Sequence, residues 1–276
     1  MVDFDPDAVR EFERAGWNRA AAGYDLSFAT ATRQFIEPLL EAAAIEAGAG
    51  VLDLCCGPGF VGAGARERGA SVTGCDFSTA MLEQARARFP GIVFDYGDAE
   101  ALPYRDTNFD AVVSNFGVHH VPRPALALAE VYRVLRPGKK FAFSIWAGHD
   151  ENIAWKLVFD AIGRDGDLRV SAAPRPGGGF ANAADCLAAL NIAGFVETDA
   201  RLVRGNWQHK DAASMLAALR AGTARMAALI DAQADTAMPG ILAALETATA
   251  PFHIPGSDGG QLSVPIACYI ASGIRR

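Results

Sequence analysis

Between Val51 and Ala147 short apolar runs alternate with amphipathic segments, and this alternation restricts the chain to few architectures. Val51–Leu54, Ser71–Cys75, Ile92–Tyr96, Ala111–Phe116 and Phe141–Trp146 are largely apolar without a regular polar face, the pattern of strands covered on both sides. A glycine-rich turn and a short helix through Arg68 follow the first run. Ser78 is placed to cap a helix carrying Met81, Leu82, Ala85 and Phe89 on one face, closed by Pro90-Gly91. From Pro124 to Arg136, residues Leu128, Val131, Tyr132 and Leu135 recur at helical spacing before Pro137-Gly138. Buried strands separated by helices predict a Rossmann-like, doubly wound, mostly parallel α/β sheet with helices on both faces. A helical elaboration is expected at one edge, and a ligand beyond the carboxyl ends of the strands.

The second half is less regular. Glu151–Arg164 reads as a helix, Pro174–Gly179 as a loop, Asn182–Ala193 as a helix and Phe195–Val203 as a strand. Asp211–Ala250 predicts two or three helices broken at Pro239-Gly240, and Leu262–Ala271 a final strand.

Several function classes are disfavoured. A chain of 276 residues, 51% hydrophobic and 21% charged, buries a sizeable core. A net charge of −7 without a basic patch argues against nucleic acid as a partner. Met1–Asp7 is acidic where a signal peptide is basic, and Met226–Ala250 is interrupted by Asp231, Asp235, Pro239 and Glu246, so no membrane association is expected. Five cysteines, without zinc-site or disulfide spacing, predict reduced thiols in a cytoplasmic protein and no metal site.

The chemistry centres on Val51–Phe60, where a strand runs into a turn free of bulky side chains and then into a helix N-terminus. Gly57-Pro58-Gly59-Phe60-Val61-Gly62 matches the dinucleotide pattern G-x-G-x-x-G, which keeps an NAD(P)-dependent oxidoreductase in view. Against it, Asp53 lies inside the strand, where a dinucleotide fold wants an apolar residue. A buried carboxylate there needs ligand or loop N–H partners. Asp76 closes the second strand, where either nucleotide's ribose hydroxyls find an acceptor. Asp98-Ala99 follows the third strand, within reach of an adenine amino group.

Taken together, Val51–Gly59, Gly74–Ser78 with Met81-Leu82, Gly97–Pro103, Phe109-Asp110 and Val134–Gly138 resemble the class I S-adenosylmethionine-dependent methyltransferases. The likeness is greatest to the branch holding quinone-biosynthesis and small-molecule methyltransferases. The resemblance is strong over Val51–Ala147 and weak over Trp17–Asp25. It implies S-adenosylmethionine as cofactor, S-adenosylhomocysteine as product and a small, partly hydrophobic methyl acceptor. It also implies roles for residues. Asp53, Gly57 and Gly59, with Cys55 beside them, hold the methionine end; Asp76 binds the ribose; Phe77 and Met81 line the adenine; and Asp98 and Ala99 contact its edge. The Asn115 backbone meets the methionine ammonium, and Tyr24 closes over it. Cys55 stands where the family usually has glycine, and a side chain there calls for ordinary backbone angles.

The expected organisation is one methyltransferase domain over 1–276. Residues 1–47 form an N-terminal helical lid and 48–148 the cofactor-binding core. Segments 149–181 and 208–260 lie over the acceptor site, and 182–207 with 261–276 complete the sheet. His119 and His120 follow the fourth strand and are candidate general bases, or packing residues of the cofactor shelf. Trp146, Trp155, Phe180, Trp207 and Phe252 are candidate acceptor-pocket aromatics or plain core. Cys55, Cys56 and Cys75 read as small core residues, and His149, His209 and His253 as surface. A non-catalytic S-adenosylmethionine-binding module is a further alternative, and the protein is expected as a monomer or homodimer.

Overall fold

The computed structural model describes residues 4–171, 173–174, 179–255 and 261–276. Its centre is one sheet built from β1 (Gly50–Leu54), β2 (Ser71–Asp76), β3 (Val93–Tyr96), β4 (Phe109–Asn115), β5 (Leu135–Trp146), β6 (Phe195–His209), β7 (His253–Ile254) and β8 (Gln261–Arg275). The order is β3-β2-β1-β4-β5-β8-β6, with β7 paired to β8. The first five strands are parallel, and β8 runs antiparallel between β5 and β6. Strand order reverses between β1 and β4, so the connections leaving their carboxyl ends diverge and open a crevice.

Both faces of the sheet are covered, as the apolar runs require. Val51, Val113 and Ala142 enter one core cluster, while their chain neighbours Leu52, Val112, Phe141 and Phe143 enter another. That is the two-residue alternation of a strand with no solvated side. Helices α4 (Phe60–Glu67), α5 (Thr79–Arg88), α6 (Pro124–Val134), α7 (Ile153–Asp165) and α8 (Ala183–Ile192) pack around it. Ser78 caps α5 by accepting from the Met81 N–H, and Asn182 caps α8. An N-terminal layer of α1 (Pro6–Tyr24), α2 (Ala29–Thr32) and α3 (Ile36–Ala42) covers the crevice side. Helices α9 (Ala212–Gly222), α10 (Arg225–Asp231) and α11 (Met238–Thr249) complete the elaboration. Among the described residues no helix is long and apolar enough to cross a membrane.

The structure corrects the sequence reading in three places. Pro239-Gly240 does not break a helix: Pro239 lies in the first turn of α11, where its missing N–H is no loss, and the interruption falls at 232–237. Residue Leu135 leaves α6 and begins β5, and Pro137-Gly138 fall within that strand's irregular start, with Gly138 at φ +74°. Strands β6 and β8 outrun their expected lengths; β6, at the sheet edge, mostly alternates half-buried and exposed residues, which hides it from a search for apolar runs. The Pro174–Gly179 loop falls mostly on 175–178, outside the described residues.

Candidate active site

A cleft of about 840 Å³, counting its open mouth, lies beyond the carboxyl ends of β1, β2 and β4 and under α1. Its floor is the turn from β1 to α4. Gly57 has φ +50°, and a side chain added there would meet nothing within 4 Å, so the missing Cβ leaves the floor open. The Gly57 N–H donates to Asp76 Oδ2 at 2.8 Å and the Ser78 N–H to Oδ1 at 2.8 Å. Burial raises the Asp76 pKa, and these backbone donors oppose it. A carboxylate has roughly four acceptor positions, so about two remain for a ligand.

Phe77 and Met81 line the cleft beside Asp76, and Gly97, Asp98 and Ala99 border it from the segment after β3. Asp98 and Asp76 therefore share one cleft. The Asp98 carboxylate already accepts from the Glu100 N–H at 2.9 Å and from Arg10 Nε of α1 at 2.8 Å. Arg10 also reaches the buried Glu100 carboxylate at 2.9 Å, to which Arg123 Nε donates at the same distance. Asn18 of α1 accepts from Ser78 Oγ at 2.8 Å and from the Ala80 N–H at 3.2 Å. These contacts strap α1 across the mouth.

Tyr24 lines the cleft and its hydroxyl is 3.1 Å from Thr32 Oγ1. Burial pushes the phenol up to about 12, with a smaller push from Asp76, so it stays neutral. The Asn115 side chain is spent internally, accepting from Ser144 Oγ at 2.6 Å and donating to the Thr32 carbonyl at 3.1 Å. Its contribution to the cleft is therefore main chain. Beyond it stands an aromatic wall in which Phe116 stacks on Trp146 at 3.9 Å between ring centres and Phe28 lies 5.7 Å from Trp146.

The structure separates the expected site residues into two sets. Tyr24, Cys55, Gly57, Asp76, Phe77, Met81, Asp98, Ala99, Asn115 and His120 border the cleft; Asp53, Gly59 and His119 do not. Asp53 turns toward α4, where Oδ2 accepts from the Gly62 N–H at 2.8 Å and Oδ1 has no protein partner. Burial pushes this carboxyl up to about 7 against the Gly62 bond. Gly59 is needed for packing, because a Cβ there would sit 2.7 Å from Phe94 Cζ. His119 is half-buried and uncharged, desolvation holding its pKa well below the ordinary value with His120 and Arg225 adding to the effect.

Cys55 also departs from expectation. Its φ is +55°, the left-handed region, not the ordinary angles a side chain prefers. Opposite it, a Cβ on Gly117 would lie 2.3 Å from Cys55 Cβ, so the thiol occupies space that residue 117 vacates. Burial pushes the Cys55, Cys56 and Cys75 thiols up, which makes them inert. Of the candidate aromatics only Trp146 borders the cleft; Trp155 and Trp207 stand behind it, and Phe180 packs on Phe143 in the other core cluster. Phe252 flanks the first cluster. His209 is not a surface residue: its ring meets Trp207 at 4.3 Å and burial drives its pKa down to about 4. His149 and His253 are exposed. No metal-holding group of side chains occurs among the described residues.

Sequence reasoning missed Arg10, Glu13, Trp17 and Gly117. The first three recur on α1 at i, i+3 and i+7, a polar and aromatic stripe that helical periodicity would have exposed.

An adenosine-bearing sulfonium fits these donors and acceptors. Asp76 retains acceptor positions, the side-chain-free floor at Gly57 admits a ligand close to the backbone, and an apolar slot at Phe77 and Met81 runs toward Asp98. With the parallel strand order 3-2-1-4-5, this is the architecture of the class I S-adenosylmethionine-dependent methyltransferases. Residues 52–143, about a third of the chain, match the methyltransferase domain family.

Malonyl-[acyl-carrier protein] O-methyltransferase of Erwinia billingiae is 37% identical over 164 residues, covering 54% of this chain and 65% of that protein. Demethylmenaquinone methyltransferase of Beutenbergia cavernae is 41% identical over 99 residues, covering 36% of this chain and 41% of that protein. The chain thus spans less than two thirds of either. Among solved structures, the YcgJ protein of Bacillus subtilis superposes with a TM-score of 0.58 at 19% identity, covering 88% of this chain and 98% of that one. A methyltransferase-fold protein of Bacillus halodurans gives 0.56 at 21%, covering 88% and 99%. At such identities these structures speak for the fold.

Proposed function

We propose that this protein binds S-adenosylmethionine in the cleft and transfers its methyl group to a small acceptor with apolar ring or hydrocarbon surface, leaving S-adenosylhomocysteine. The observation that carries this reading is that Asp76 and Asp98, from adjacent strand ends, border one cleft that continues into the Phe28–Phe116–Trp146 wall. In this reading Asp76 accepts from the ribose hydroxyls, and Phe77, Met81, Asp98 and Ala99 hold the adenine. The main chain at Gly57 and Asn115 meets the methionine end, and Tyr24 covers it. Asp53 and Gly59 support the turn from behind.

Bound there, the cofactor supplies a methyl group already activated on sulfur. The protein has to hold the acceptor in line and keep water out, and such alignment supplies roughly 7–11 kcal/mol. The strapped α1 and neutral Tyr24 close the cleft, and the aromatic wall gives an acceptor apolar surface to lie against. Relatives named for demethylmenaquinone and for malonyl-[acyl-carrier protein] bracket the acceptors to be tried, and the wall favours the ring-bearing one. The same reading places the protein in the cytoplasm, as a monomer or homodimer.

Isothermal titration with S-adenosylmethionine, S-adenosylhomocysteine and NAD(P)H is the first test. Micromolar binding of the two adenosyl ligands alone is expected. Binding of the nicotinamide nucleotide alone would replace the reading with an oxidoreductase, and cofactor binding with no methylated product across quinol and carboxylate acceptors would leave a binding module.

A further inference from the structure

The Phe28 ring stands between two groups of aromatic side chains. Tyr24 and Trp146 border the cleft, as Phe28 does, whereas Trp155 and Trp207 do not. The ring centre lies 6.1 Å from Tyr24 and 5.7 Å from Trp146, and 5.6 Å from Trp155 and 5.7 Å from Trp207. At interplanar angles of 51–82° these are the contact distances of tilted and edge-on rings. Phe28 is buried, so its ring is the partition between the cleft and the two indoles behind it. Trp146 is itself packed on Phe116 at 3.9 Å and on Trp155 at 4.6 Å, which holds its plane in place.

The backbone carrying the partition is pinned from three sides. A Cβ on Gly222 of α9 would lie 2.4 Å from Phe28 Cβ and 3.0 Å from its nitrogen, so the two chains are in direct contact. Two residues on, Thr30 Oγ1 accepts from Trp207 Nε1 of β6 at 2.8 Å and donates to the Ser27 carbonyl at 2.6 Å. The Thr32 carbonyl accepts from Asn115 Nδ2 at the end of β4, at 3.1 Å. A ring on a segment tied to α9, β6 and β4 together is a fixed wall and not a flap.

We propose that Phe28 is a specificity-determining residue for the methyl acceptor: its ring closes the inner end of the acceptor space and limits how large a ring system fits there. This deepens the methyl-transfer reading above and rests on it. Replacing the phenyl group by a methyl vacates the room of about one ring, and a dry apolar cavity of about 150 Å³ takes up benzene. The vacated room would join the cleft, with Trp155 and Trp207 as its new lining. In a pocket of this kind even one apolar group more or less changes discrimination roughly 10–200-fold.

The test compares phenol with 2-naphthol by titration calorimetry on the full chain saturated with S-adenosylhomocysteine. Phe28→Ala should raise the ratio of 2-naphthol to phenol affinity at least about tenfold over the wild type, while S-adenosylhomocysteine affinity stays within about twofold. Phe28→Leu removes the flat ring but keeps an apolar side chain, and should shift the ratio the same way. Trp155→Phe makes room behind the partition without opening it and should keep the wild-type ratio. Proton NMR adds a positional readout: bound phenol should show nuclear Overhauser contacts to the Phe28 ring in the wild type. In Phe28→Ala, 2-naphthol should contact the Trp155 indole N–H, a signal assigned by its loss in Trp155→Phe. A Phe28 that is only core would leave the ratio unchanged in both folded variants, and that result overturns the proposal. So does an equal shift in Trp155→Phe, or the absence of phenol contacts to Phe28 in the wild type, which decides the matter even if neither Phe28 variant folds. Loss of S-adenosylhomocysteine binding by every protein, wild type included, would instead remove the methyl-transfer reading and the acceptor space with it.

Discussion

Cys55 and Gly117 form a steric pair whose energetics are open to a double-mutant cycle. With φ at +55°, Cys55 bears a left-handed penalty of about 1–2 kcal/mol. Glycine removes that penalty but adds about 0.5–1 kcal/mol of unfolded-state entropy. The difference makes Cys55→Gly more stable by about 0.5–1 kcal/mol. Gly117→Ala starts from an ordinary φ of −98°, so its cost is purely steric: the new Cβ would stand 2.3 Å from Cys55 Cβ and 2.7 Å from Ser114 Oγ. Overpacking of that kind costs about 1–3 kcal/mol. Removing Cys55 Cβ leaves only Ser114 Oγ in the way, and that hydroxyl has no hydrogen-bond partner to lose when it rotates. The double variant should therefore recover about 1–2 kcal/mol more than the sum of the single changes, well beyond the ~0.3–0.5 kcal/mol scatter of independent sites. Urea unfolding followed by tryptophan fluorescence, with unchanged slopes, reads the cycle. Additive single effects, or a Cys55→Gly protein less stable than the wild type, would refute the reasoning.

Three further outcomes follow from the same contacts. Asp53 is lifted from 3.8 to about 7 by burial, so between those pH values the folded protein retains a proton that the unfolded chain releases. Stability contributed by this group is complete below pH ~4 and is lost as pH rises through 7, by at most about 4 kcal/mol. Asp53→Asn should flatten the difference in urea midpoint between pH 5 and pH 8, and equal pH dependence in both proteins would dismiss the assignment. Asp76→Asn presents an amide nitrogen to either the Gly57 or the Ser78 N–H in both flips, leaving one donor unpaired at a cost of about 1–3 kcal/mol. Titration calorimetry should show S-adenosylhomocysteine binding weakened at least tenfold, roughly 1.4 kcal/mol, and an unchanged affinity would contradict the site. Arg10→Ala breaks its pairs with part-exposed Asp98 and with buried Glu100, which keeps Arg123 as its partner, and should lower stability by about 1 kcal/mol. Amide exchange over residues 6–24 should nonetheless quicken, and full protection of that helix would show that Arg10 does not strap it.

What the sequence disclosed and what it withheld divide along a physical line. Strands β1, β2, β4 and β5 were legible because a strand buried on two faces leaves a local mark, an apolar run closed by a turn; β3, an edge strand with Val93 and Tyr96 exposed, showed through the turns that bound it. Asp76 and Asp98 were legible because each ends such a run. The direction in which a carboxylate points leaves no comparable mark. Asp53 and Asp76 both belong to glycine-rich strand ends, yet one faces the Gly62 N–H behind the turn and the other faces the cleft. Nor does the sign of φ at Cys55, which depends on Gly117 across the crevice. The lid was the hardest part to read. Arg10 meets Asp98 from 88 residues away, and Glu13 meets Arg225 from 212. Hydropathy also misleads there, because it assigns the polar stripe of an amphipathic helix to water. On α1 that stripe lies against a crevice that is itself lined with acids and main-chain polar groups. A helix that closes a polar site turns inward some of the residues a hydrophobicity rule sends outward. In such a helix a buried acid at polar-stripe spacing, as Glu13 is, therefore marks the face that meets the site.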